Sequence, residues 1–99
     1  MKLSEIYFGA IDVIRERGWC QGDYSLRDGS VCMYGAMRVA AGHSPYLSTS
    51  DTLDCVKHFR QSVFQRLQIT DANDKHCKTA DDACAFLEIA ACCAAAEGK

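Results

Sequence analysis

A chain of 99 residues has room for one hydrophobic core, and its 48% hydrophobic and 24% charged content is that of a folded globular domain, which excludes disordered and fibrous structure. The net charge of −2, with no basic stretch denser than Arg15-Glu16-Arg17, lacks the electrostatic footprint of a nucleic-acid binder. Seven cysteines, an odd number, are the one compositional anomaly.

The first helix is predicted over Ser4 to Arg17. Ser4 is placed to cap it, Ile6, Ala10, Val13 and Ile14 share a face, and Gly18 supplies the stop. From Gly18 to Gly29 the periodicity breaks into a glycine-rich loop with an Asp28-Gly29 turn, and Trp19, too apolar to leave in water, is expected to pin that loop to the core. The best place for a short strand is Tyr24 to Leu26. Ser30 then offers a cap for a short apolar helix from Val31 to Ala40, ended by Gly42, with Arg38 as its only charged residue. Such a helix is expected to be central, with Gly35 and Ala36 admitting a close neighbouring helix.

Pro45 and the hydroxyl run Ser48-Thr49-Ser50 mark a connection and a capping region. The third helix is predicted from Asp51 to Leu67, with Leu53, Val56, Phe59, Val63, Phe64 and Leu67 as its apolar stripe. Residues 70–76 are polar and turn-like. Thr79 with Asp82 resembles a capping box for a last helix rich in Ala and Cys, which ends at Gly98 and has the small side chains needed to pack closely on the second helix. The expected architecture is all-α: residues 1–99 as one compact bundle of about four helices, with a long irregular loop between the first and second.

The acids Glu5 and Asp12 interrupt any apolar signal core, and the longest apolar run, Ile89 to Ala96, is far too short to span a bilayer. The expectation is a cytoplasmic protein without membrane contact, whose cysteines are reduced. No Cys-x-x-Cys pair is present, so no metal is assigned, although Cys55 and His58 stand at helical i, i+3 spacing and His76-Cys77 are adjacent. Cys55 and Cys84 read as small buried side chains and His58 as a half-exposed one. Cys32, in the first turn of the second helix, is a core contact or a thiol activated by the helix dipole. Asn73-Asp74 either ties its loop to backbone donors or binds a ligand. No cofactor signature is visible.

Taken together, Gly18-Trp19-Cys20-Gln21-Gly22, then Cys32-Met33-Tyr34-Gly35-Ala36, then Asn73-Asp74 before the last helix resemble a small family. It is known only as a domain of unknown function and occurs in actinobacteria and tailed phages. The likeness runs over about residues 4 to 95; Ala72, where a large apolar residue is expected, and the extra cysteines of the last helix depart from it. The resemblance implies a phage or prophage origin and brings no catalytic residues. The function expected on that basis is binding, and possible inhibition, of a host protein. The alternative is a small-molecule binder or cysteine enzyme whose pocket, at the N-terminal ends of the second and fourth helices, is lined by Trp19, Cys20, Gln21, Cys32, Asn73 and Asp74.

Overall fold

A computed structural model describes residues 1–99. Five helices follow one another: α1 (Leu3–Arg17), α2 (Met33–Ala40), α3 (Ser50–His58), α4 (Ile69–Asp71) and α5 (Ala80–Ala96). Widened π turns extend α3 over Phe59–Val63 and α4 over Ala72–His76. The fold is all-α, as expected, and the long first connection contains only two isolated bridges, Trp19 to Val31 and Ser25 to Val31.

α1 is the organising element. Its buried face, Ile6, Tyr7, Ala10 and Ile14, follows the predicted stripe with Tyr7 added and Val13 only partly buried. The helix stops at Gly18, whose φ of 91° suits a residue without Cβ and whose N–H returns to the Ile14 carbonyl. α1 packs on both α5 and α2, and so stands between the two helices that were expected to pack on each other. The small side chains Ala83, Ala90, Ala91 and Ala94 of α5 are buried in that core.

α2 is as central as its composition implies: Met33 through Arg38 are all buried. Its cap is Cys32 and not Ser30. The Cys32 sulfur accepts from the Gly35 N–H, while Ser30 is held by Asp28 in the preceding turn. Gly35 does have a packing reason, and the neighbour is a loop and not a helix. A Cβ there would stand 2.1 Å from the Tyr24 carbonyl oxygen.

The largest departure is in the third helix. α3 begins at Ser50 behind a Thr49/Thr52 capping box, but regular α structure ends at His58. The inward face is Thr52, Cys55, His58 and Phe59, and Leu53 points to solvent. The pattern misleads because a polar face is buried here. The π turn has a packing cause: Phe59 and Phe64, five residues apart, form an aromatic cluster with Phe86 of α5, with ring separations of 4.8–6.5 Å. The Phe64 N–H bonds the Phe59 carbonyl at 2.8 Å, and Arg66, at φ 66°, then turns the chain toward α4. α5 starts as read, with Thr79 Oγ1 accepting from the Asp82 N–H.

Candidate functional site

The motif residues converge on one side chain. Asn73, 1% exposed, sits in the π turn after α4. Its Oδ1 accepts from the Trp19 indole N–H at 2.7 Å and from the Met33 backbone N–H at 3.0 Å. Its Nδ2 donates to the Cys20 carbonyl at 3.0 Å and to Asp74 Oδ1 at 2.9 Å. An amide offers two donors and two acceptor lone pairs, so Asn73 is saturated. It ties the Trp19 loop to the N-terminus of α2, satisfying one of the donors a helix start leaves free.

Gln21 and Asp74 repeat the arrangement from either side. Gln21 Nε2 lies 2.9 Å from the Cys77 carbonyl oxygen and 3.1 and 3.2 Å from those of Asp74 and Asn73. Asp74 Oδ1 also accepts from the Gly22 N–H at 3.0 Å. The predicted residues Trp19, Cys20, Gln21, Asn73 and Asp74 therefore do meet, and they bond chiefly to each other and to backbone. Of the two readings of Asn73-Asp74, the observed bonds are those of loop tying. The meeting point is the start of α2, whereas α5 is capped by its own Thr79 and Asp82.

Beside this knot lies a cleft of about 370 Å³ lined by Gly22, Asp23, Tyr24, Cys32, Thr70, Asn73 and Asp74. Two carboxylates and no basic residue line it, which disfavours anions. The helix N–H groups that would attract one are occupied, Met33 by Asn73 and Gly35 by Cys32. Burial pushes the Cys32 thiol above its ordinary value, outweighing the opposite pull of the Gly35 N–H. Cys20 is raised by the same cause. Both are poor nucleophiles at neutral pH.

The sequence reading missed a second feature, centred on Arg38. The guanidinium is 4% exposed and lies between two tyrosine rings, 3.8 Å from the centroid of Tyr34 and 4.3 Å from that of Tyr24. It donates to the Pro45 carbonyl at 2.8 Å and to Ser48 Oγ at 2.6 Å, and its Nε has no partner. No carboxylate pairs with it, so the tyrosine faces and these two oxygens carry the burial of its charge. Tyr46, with its ring 6.2 Å from Tyr24, donates its hydroxyl proton to the Ser25 carbonyl at 2.7 Å. The Tyr24 loop and the Pro45 connection are thus locked together, leaving Tyr24, Leu26, Tyr46 and Leu47 exposed on them. A lone charged residue in an apolar helix with three tyrosines nearby in sequence is the only signal that pointed here.

Five of the seven cysteines, Cys20, Cys32, Cys55, Cys77 and Cys84, are buried as small apolar side chains, and all seven are free thiols. Cys92 is exposed, Cys93 is half-buried, and His58, read as half-exposed, is 5% exposed. No helix is long and apolar enough to cross a membrane. No curated protein and no solved structure matched the chain. A match over residues 1–92 takes in the Trp19 loop, the Cys32 cap and the Asn73 knot together, and the chain belongs to the family of unknown function DUF6197.

Proposed function

We propose that this protein is a protein-interaction module, a small accessory protein of phage or prophage type that binds a host protein and inhibits it by covering its surface. One observation carries the reading: Tyr24, Leu26, Tyr46 and Leu47 stay exposed on two segments that Arg38 and the Tyr46 hydroxyl hold rigid. Rigid aromatic side chains bury large area at small entropic cost, which is why tyrosine is enriched among the residues that dominate binding energy. The saturated Asn73 knot and the raised thiols support the same view, because they direct the conspicuous motif residues to architecture and away from catalysis.

The test is a paired affinity capture from host lysate, using the wild-type chain and a Leu26→Asp/Leu47→Asp variant of unchanged melting temperature. A host protein enriched by the first and depleted at least about tenfold by the second supports the reading. No enriched protein, or equal enrichment by both, contradicts it.

The cleft beside Asn73 favours a second reading, binding of a small cationic or neutral ligand between Asp23 and Asp74. Equilibrium dialysis of Asp74→Asn against wild type with a polyamine probe separates the two. Binding that the substitution abolishes favours the ligand site.

A further inference from the structure

Away from the motif residues, three side chains that sequence spacing does not connect come together. His58 closes α3, and Cys93 and Glu97 stand one helical turn apart, on α5 and at its C-cap. His58 Nε2 is 2.9 Å from Glu97 Oε2, Cys93 Sγ is 3.4 Å from Glu97 Oε1, and the three ligand atoms all lie within 4.8 Å of one another.

A buried hydroxyl gives this cluster a direction. The buried Tyr7 hydroxyl lies 2.8 Å from the Cys55 carbonyl oxygen, to which it can donate, and 3.0 Å from His58 Nδ1. With Nδ1 held at Tyr7, the other ring nitrogen, Nε2, faces Glu97 Oε2 at 2.9 Å, a contact that a ring proton fills in the metal-free protein and that a metal ion on Nε2 would replace. A buried oxygen that holds Nδ1 and aims Nε2 at other ligand atoms resembles the outer-shell arrangement behind metal-binding histidines.

We propose that His58 Nε2, Cys93 Sγ and a Glu97 carboxylate oxygen form a binding site for a divalent, borderline-soft transition-metal ion of the zinc class, with Tyr7 as the residue that positions His58. A nitrogen, sulfur and oxygen set suits zinc, and a neutral imidazole, a thiolate and a carboxylate sum to −2. Bonds of about 2.0 to 2.3 Å in a tetrahedron put ligand atoms roughly 3.3 to 3.8 Å apart, so the cluster needs adjustments of about 1 Å or less in side chains. Those adjustments are available: Glu97 is about one-third exposed and Cys93 half-buried, while the deeply buried His58 stays fixed. Binding displaces the Cys93 thiol proton and the exposed Lys99 ammonium now 3.5 Å from Glu97 Oε2, and it leaves the fourth position to water. The site ties the end of α5 to the end of α3. Cys93 and Glu97 lie outside the family-matched residues, and His58 within them.

The test uses the full reduced chain, freed of metal by chelation and titrated with Co²⁺ as a spectroscopic probe and then with Zn²⁺. One equivalent of Co²⁺ should give a thiolate-to-metal charge-transfer band that Zn²⁺ displaces. Cys93→Ser should abolish the band and the neighbouring Cys92→Ser should leave it intact. Glu97→Gln should weaken binding by about tenfold or more, in line with losses seen even for outer-shell partners. Because His58 is buried and its substitution threatens folding, its role is read without mutation, from a zinc-dependent change at the Nε2 resonance in nitrogen-15 imidazole spectra. No band at stoichiometric Co²⁺, a band that survives Cys93→Ser, affinity unchanged in Glu97→Gln, or an unmoved Nε2 resonance would each overturn the assignment.

Discussion

Two polar clusters in this molecule have opposite characters. Around Asn73, donors and acceptors match: the amide uses both donors and both acceptor sites, on two backbone groups, Met33 N–H and the Cys20 carbonyl, and two side chains, Trp19 and Asp74. Around His58 a different set meets: two carboxylate oxygens, a sulfur and an imidazole nitrogen, bonded mainly to one another at a partly open rim. A saturated network fixes a fold, whereas a nitrogen, sulfur and oxygen set at a partly open rim can take up a cation. The residues that look most functional in the sequence belong to the first kind, and those that look least functional belong to the second.

The largest effect should come from Asn73→Ala, which strands the Trp19 indole N–H, the Met33 N–H and the Cys20 carbonyl together. At about 1 to 3 kcal/mol for each buried group left unpaired, with relaxation recovering part, urea unfolding should show a loss of about 4 kcal/mol. A loss under about 1 kcal/mol would remove Asn73 from the architecture. Gly35→Ala comes next, since its Cβ meets the Tyr24 carbonyl at 2.1 Å and backbone must move. The expected cost is about 3 kcal/mol despite the better helix propensity of alanine, and a stabilised variant would show that the loop gives way freely.

Much of the first cluster was legible in sequence. Trp19, Gln21 and Asn73-Asp74 stood out because turn-forming residues in a glycine-rich loop announce local hydrogen bonding, and the helix starts at Thr49 and Thr79 are written in their capping residues. The second cluster was illegible for a physical reason. Cys93 and Glu97 are neighbours by helical spacing, but His58 reaches them only because α3 turns a polar face inward, which an apolar stripe through Leu53 contradicts. The early end of α3 was hidden likewise, since the pairing of Phe59 and Phe64 over Phe86 is a tertiary effect. Cys32 in place of Ser30 as the cap of α2 is a smaller instance: a sulfur accepts the Gly35 N–H because Asp28 already holds Ser30.

Alkaline titration probes the thiols of the core. Burial pushes the Cys55 thiol up to about 12 and the Cys77 thiol up to about 11, against an ordinary value near 9.0. The folded state thus keeps protons that the unfolded chain releases, so stability is intact below about pH 9 and falls as pH rises toward 12. At pH 11 the loss from Cys55 alone should be about 2 to 3 kcal/mol. A urea midpoint that stays level between pH 8 and 11 would mean that these thiols are hydrated.

Trp19→Phe keeps the aromatic body but removes the indole N–H, leaving Asn73 Oδ1 its bond from Met33, and should cost about 1 kcal/mol. Glu97→Gln should change least. His58 first, and the Cys93 thiol second, hold the Glu97 carboxyl below its ordinary value near 4.5. The contribution of this exposed group is present above that value and lost as pH falls below it. At neutral pH without metal, the melting temperature of Glu97→Gln should lie within about two degrees of wild type.

Zinc-dependent melting of four chains, wild type, Trp19→Phe, Cys93→Ser and Glu97→Gln, tests the contrast between the clusters most directly. One equivalent of Zn²⁺ should raise the melting temperature of the wild type and of Trp19→Phe by the same amount, leave Cys93→Ser unmoved and raise Glu97→Gln less. An equal rise in all four, or no rise in the wild type, would contradict the assignment of fold to one cluster and cation binding to the other.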